Sequence, residues 1–125
     1  MAKLKTKYLG LEINSPVIVG SSSHTATLSK IKQSEDYGAG AVILKSLFEE
    51  QINYLIASST STVAYPEADD YMAFYLRSNT VDEYLELIRK AKESINIPVI
   101  ASINCISAGS WIDFARRIEE AGADA

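Results

Sequence analysis

Two hydrophobic periods alternate along this chain. Short runs of aliphatic and β-branched residues bounded by turn signals give way to stretches in which apolar residues recur every three or four positions. Lys5 to Ile13 folds back around Leu9-Gly10, which predicts a small β-hairpin pairing Thr6–Tyr8 with Leu11–Ile13. Asn14-Ser15-Pro16 is a turn, and Val17-Ile18-Val19 reads as a strand buried on both faces, ended by Gly20. A polar loop from Ser21 to Thr25 leads into a helix from about Leu28 to Tyr37, with Leu28, Ile31 and Tyr37 as its apolar positions. Gly38-Ala39-Gly40 ends that helix, and Ala41–Lys45 is a second buried strand. Thr80 followed three residues later by Glu83 has the form of a capping box and predicts a helix start. Val81, Tyr84, Leu85, Ile88, Ala91 and Ile95 then share one helical face. Pro98–Ile103 is a third strand. Ser110 with Asp113 predicts the cap of a further helix, buried through Trp111, Phe114, Ala115, Ile118 and Ala121.

Strands of the buried type separated by helices predict a parallel sheet, because each parallel pair needs a crossover. The joint Tyr37-Gly38-Ala39-Gly40-Ala41 is echoed by Ala121-Gly122-Ala123-Asp124-Ala125, a weak internal repeat of βα units. The expected fold class is α/β, a (β/α)8 TIM barrel, here its first three βα units preceded by an N-terminal β-hairpin. A full barrel takes about 250 residues, so residues 1–125 are expected to be the N-terminal half of one. A doubly wound open sheet has the same periodicity. In the barrel, Val17, Val19, Ile43, Val99 and Ala101 would face the interior in some register, and the edge meant for a fourth strand would be open. From Glu49 to Asn79 the pattern is an unusually long excursion, with a possible helix over Glu49–Ala57, a serine and threonine cluster over Ser58–Thr62, and aromatic residues at Tyr65, Tyr71, Phe74 and Tyr75. Long connections in α/β units are often lids or pocket walls; a packed Ω-like loop or a subunit contact is the plainer alternative.

Composition narrows the class. Hydrophobic residues make up 47% of the chain, as in an ordinary globular domain. The net charge of −4 is spread without a basic run, which argues against a nucleic-acid partner. The single cysteine, Cys105, cannot form an intrachain disulfide, which fits a reducing compartment. No apolar stretch approaches the roughly 18 residues of a membrane span, and the first residues lack a signal-peptide core. A soluble, cytoplasmic protein is expected.

Candidate chemistry gathers at the predicted strand ends. Lys45 closes an otherwise apolar strand, where an ammonium can hold an acidic ligand or stabilise a developing anion, or can simply snorkel to solvent. Gly20 allows close backbone approach, and Ser21, Ser22 and Ser23 beyond it offer hydroxyls to a planar heterocycle or to their own loop. His24 has no His or Cys partner at ligand spacing, so no metal site is expected. Ser102, Asn104 and Cys105 follow the third strand; the Asn104 amide could bond a ligand edge, and Cys105 reads first as a small buried residue rather than a nucleophile. No Walker loop or strand-to-helix G-x-G-x-x-G is present.

Four stretches together resemble the dihydroorotate dehydrogenase family of flavin-dependent barrels: Leu9–Ser21, Gly38–Ser46, Ile97–Asn104 and Glu120–Ala125. The resemblance implies an FMN-dependent oxidoreductase that converts dihydroorotate to orotate in pyrimidine biosynthesis, a base taking a proton while hydride passes to the flavin. It implies that Ser21, Ser22, Lys45, Ser46 and Asn104 contact the cofactor, with Lys45 at the ring's polar edge favouring its reduced, anionic form. It implies Lys45 and Asn79 for the substrate. The absence of a membrane-docking helical extension before the hairpin points to the soluble, class 1 type. Two departures mark a divergent branch. The family's substrate stretch, an asparagine, a Gly-Leu pair and a second asparagine, is here Phe74-Tyr75-Leu76-Arg77-Ser78-Asn79, in which only Asn79 corresponds. The family's catalytic base and FMN phosphate site belong to later strands, so no catalytic residue is assigned within residues 1–125. A homodimer, or pairing with the missing half-barrel, is the expected association. A non-catalytic half-barrel acting by self-association, or an aldolase-type phosphate-handling barrel, are the alternatives.

Overall fold

The computed structural model describes residues 4–60 and 66–125. The chain opens with the expected hairpin, β1 (Thr6–Tyr8) against β2 (Leu11–Ile13), in antiparallel register with Thr6 opposite Ile13. Leu9 and Gly10 both have positive φ, 49° and 77°, the two-residue turn whose twist matches that of a hairpin. Three parallel strands follow: β3 (Ile18–Val19), β4 (Ala41–Ile43) and, later, β6 (Val99–Ile100), adjacent in chain order. The second and third strands each break and resume, as β5 (Leu47–Phe48) and β7 (Ile103–Asn104), which pair in parallel with Leu47 opposite Ile103. Crossovers are made by α1 (Leu28–Asp36), by α2 (Glu49–Thr60) with α3 (Pro66–Ser94), and α4 (Ala108–Ala121) follows β7. The protein is thus an α/β fold of small parallel sheets, one antiparallel hairpin and four helices among the described residues.

The two faces of the parallel sheet are chemically distinct. Val42, Leu44 and Val99 lie on the helix side, buried with Ile31, Leu85, Ile88 and Phe114, and Val19 and Ala101 pack against the same core. Ala41 and Ile100 face the other way, with Ile13 of the hairpin and the partly buried Ile18 and Ile43. Strict alternation along a strand produces this sorting. It corrects the interior set expected from sequence: Ile43 belongs to it, Val19, Val99 and Ala101 do not, and Val17 is 61% exposed. The hairpin closes the N-terminal end of this inner face. At Gly40 a Cβ would collide with the Ser15 carbonyl, so only glycine admits the chain there.

Three expectations about the helices are also corrected. Glu49–Ala57 is helical as expected, within α2, but residues 66–79 are helix too, the opening of α3, rather than a loop; α2 packs on α3, with Arg77 Nη2 donating to Asn53 Oδ1 at 2.7 Å. Tyr65 and the Ser61-Thr62 end of the hydroxyl cluster lie outside the described residues. Thr80 does not cap a helix. It lies inside α3, and its hydroxyl donates to the Leu76 carbonyl four residues back at 2.9 Å, the alternative partner such a hydroxyl always has. The apolar face from Val81 to Ile95 is buried as expected. Ser110 does not cap α4 either: Ser107 holds that position, Ser110 sits in the first turn, and Trp111 and Ala115 face out while Phe114, Ile118 and Ala121 are buried.

α4 ends at Gly122, left-handed at φ 99°. The chain then turns onto the free edge of β6. Asp124 N–H donates to the Val99 carbonyl at 2.9 Å and Ala101 N–H to the Ala125 carbonyl at 2.8 Å. The Asp124 carboxylate accepts from Val99 N–H at 2.8 Å and pairs with Lys92 at 2.8 Å. The edge expected to be open is therefore taken, over these residues, by the chain itself. No helix of the described residues is long and apolar enough to cross a membrane.

Candidate functional site at the strand ends

The breaks between β4 and β5 and between β6 and β7 lie side by side, and the site is built on them. A buried backbone amide needs a partner, and where a ladder breaks the partner must come from elsewhere. Leu44 N–H still bonds Ile100 O at 2.9 Å. Lys45 N–H turns to the Thr25 carbonyl at 3.4 Å. Ser46 N–H finds the Ser21 hydroxyl at 2.9 Å. Leu47 N–H rejoins the ladder at Ser102 O, 2.9 Å. On the third strand, Ser102 N–H donates to the Tyr84 hydroxyl at 3.0 Å, and that hydroxyl donates to Ser102 O at 3.1 Å. Tyr84 is buried, and this burial pushes its phenol above the ordinary value, against a smaller lowering from the Ser102 backbone.

These substitutions bring three hydroxyls from three strand ends into one chain. Ser21 Oγ lies 2.9 Å from Ser46 Oγ, which lies 2.6 Å from Ser102 Oγ. Three protons serve two contacts, so one O–H remains to donate to a ligand. Lys45 is exposed next to Ser46, and among the described residues its ammonium has no ion-pair partner. Asn104 is exposed at the end of β7, opposite Phe48. Gly20 has open space where a side chain would stand. A cleft of about 390 Å³ opens between this region and α3, lined in part by Lys45, Ser46, Thr80, Glu83 and Tyr84.

Of the residues singled out from sequence, the fold thus gathers Ser21, Lys45, Ser46 and Asn104 on adjacent strand ends. Ser22 serves its own loop: its hydroxyl donates to Gly20 O at 3.1 Å and accepts from His24 N–H at 3.2 Å, capping the 3-10 turn Ser23–Thr25. Asn79 lies on an exposed face of α3 and donates to Glu83 Oε1 at 3.1 Å, lining a neighbouring groove rather than the cleft beside Lys45. Cys105 is buried; burial and the nearby Glu49 charge both push its thiol up, away from the thiolate a nucleophile needs.

Four supporting residues were not assigned this role from sequence. Thr25 is fully buried and fixes the first strand's loop through Ser22 and Gly20. Ser102 and Tyr84 repair the third strand's break. Glu49 reaches from the start of α2 to the loop after β7. The Thr25 hydroxyl works within its own loop, whereas Tyr84 and Glu49 act through partners far along the chain that no local pattern announces.

The donor set of hydroxyls, one amide and one unpaired ammonium fits the polar edge of a flavin-type heterocycle. Fold and site together define an α/β protein of successive βα units whose polar groups converge at the C-terminal ends of parallel strands. No family model matches the chain. Among curated proteins it is similar to the catalytic subunit of dihydroorotate dehydrogenase B (NAD(+)) of Thermoplasma acidophilum, 29% identical over 100% of this chain and 40% of that protein. The protein of the same description from Methanocaldococcus jannaschii is 30% identical over 93% of this chain and 38% of that protein. The resemblance to the dihydroorotate dehydrogenase family holds over essentially the whole chain, which spans about two fifths of the length of these relatives.

Proposed function

We propose that this chain forms the opening βα units of an FMN-dependent oxidoreductase of the dihydroorotate dehydrogenase type, built on a (β/α)8 barrel. The observation that carries this is the convergence of Ser21, Lys45, Ser46 and Asn104 at the C-terminal ends of adjacent parallel strands, where barrels build their sites. The docking of Asp124 and Ala125 along β6 supports a sheet that continues by a fourth parallel strand. The reaction is removal of two hydrogens from a CH–CH bond beside a carbonyl, in dihydroorotate or a close relative, one leaving as a proton and one as hydride.

FMN, when bound, supplies the hydride acceptor. The protein's residues bind and orient it. Ser21 and Ser46 present a fixed hydroxyl pair to the ring edge, and Asn104 offers an amide from the next strand. The Lys45 ammonium would stand against negative charge gained by the bound group, an electrostatic stabilisation held in place before the reaction. Its backbone is pinned by Thr25. The relatives are described as catalytic subunits and carry NAD(+) in their name, so a partner chain and a nicotinamide electron acceptor belong to the proposal.

The test is stopped-flow reduction of the flavin in the full-length polypeptide. Lys45→Ala should slow it by about 10²–10³-fold; reduction at the wild-type rate would remove Lys45 from the site.

A further inference from the structure

Glu49 is the only buried acidic side chain among the described residues, 7% exposed, and it touches none of the groups that line the site. It is the first residue of α2, directly after β5, and its carboxylate crosses to the loop that follows β7. It accepts from Ile106 N–H at 2.6 Å and Ser107 N–H at 3.2 Å. Its other oxygen accepts from the Ser110 hydroxyl at 3.0 Å and lies 3.3 Å from the Ser107 hydroxyl, the two serines being 2.7 Å apart. Ser107 is the N-cap of α4 yet makes no capping bond of its own. A residue from the neighbouring strand end therefore supplies the cap.

The consequence is mechanical. The loop held by Glu49 begins one residue after Asn104, and Glu49 itself lies four residues after Lys45. The carboxylate ties the two strand ends together at the distance set by one side chain. We propose that Glu49 is a positioning residue: it fixes Asn104 and the loop after the third strand against the strand end that carries Lys45 and Ser46, so that a ring contacted from both keeps one geometry. This rests on the flavin reading for its ligand, but the clamp itself does not.

Glu49→Gln separates the two. An amide keeps the length, its oxygen still able to accept from the two N–H groups and its NH₂ facing hydroxyls that can turn to accept, but it removes the negative charge that strengthens every one of these bonds. Hydrogen exchange and FMN titration are measured on the full-length polypeptide, with Arg117→Ala as the comparison. Arg117 pairs with Asp82 at 2.7 Å between α4 and α3, away from the strand ends. In Glu49→Gln, exchange at the Ile106 and Ser107 amides should accelerate about tenfold and FMN should bind about tenfold more weakly, with exchange at Val99 and Ile88 unchanged. Arg117→Ala should leave FMN affinity unchanged. Unaltered exchange at Ile106 and Ser107 overturns the clamp. Accelerated exchange with unaltered FMN affinity overturns the positioning role while leaving the flavin reading intact. If the wild-type polypeptide binds no FMN, the flavin reading and the positioning role fail together, and the exchange data still decide the clamp.

Discussion

Lys45 and Ser21 were legible as site candidates because each is polar at the end of an apolar run, a local contrast that needs no tertiary information, whereas Ser46 entered only through the family resemblance. Glu49 was not legible. In sequence it is one of two glutamates opening a helix, and only the fold shows that its partners lie 57 to 61 residues away. Its carboxyl is held below the usual carboxylate range chiefly by the Ile106 amide; burial pushes the other way, and the Ser107 amide and the Ser110 and Ser107 hydroxyls add to the lowering. A carboxyl depressed in the folded state contributes stability that is complete above its unfolded value and is lost as pH falls through its folded value. Denaturant midpoints of wild type and Glu49→Gln should therefore differ at neutral pH and converge as the medium is acidified below about pH 4. A difference that stays constant or widens in acid would show that Glu49 is not the group whose ionisation supports the fold.

The elements were read well where periodicity alone decides and poorly where a hydroxyl had two possible partners. The face from Val81 to Ile95 was visible because six apolar residues keep helical spacing. The start of that helix was not, because a threonine three residues before a glutamate has the form of a cap whether or not the helix extends past it. The β1–β2 hairpin was placed to the residue, since Leu9-Gly10 sits between two alternating segments. The sidedness of the strands was missed because strands of two or three residues, apolar on both faces, carry no polar alternation to mark the inside. These distinctions have different energetic signatures. Thr80→Ala should change stability by less than about 0.5 kcal/mol, because it removes only a bond back to Leu76, whereas loss of a true cap costs about 1. Ile88→Ala, at a position with no exposure, should cost about 2–5 kcal/mol. Urea denaturation of the two variants checks both, and a Thr80→Ala loss near 1 kcal/mol would restore the helix start at that residue.

Across the whole molecule the parallel sheet has one edge dressed and one bare. Asp124 and Ala125 line β6, while the outer side of β3 has no strand partner among the described residues and Val17 beside it is exposed. The inner face, with Ile18 and Ile43 only partly covered, awaits the rest of a barrel interior in the proposed fold. An unpaired edge beside an apolar face is a template for another chain. The 125-residue polypeptide expressed alone should therefore dimerise or unfold at low denaturant, and sedimentation velocity would show it; a well-ordered monomer would mean that the sheet is complete without further strands. The central claim is that these strand ends hold a flavin. It is met most directly by titrating FMN into the full-length polypeptide and following visible absorbance. The account predicts a saturable shift of the flavin band that Lys45→Ala alters in shape; a spectrum that remains that of free FMN at every protein concentration would contradict it.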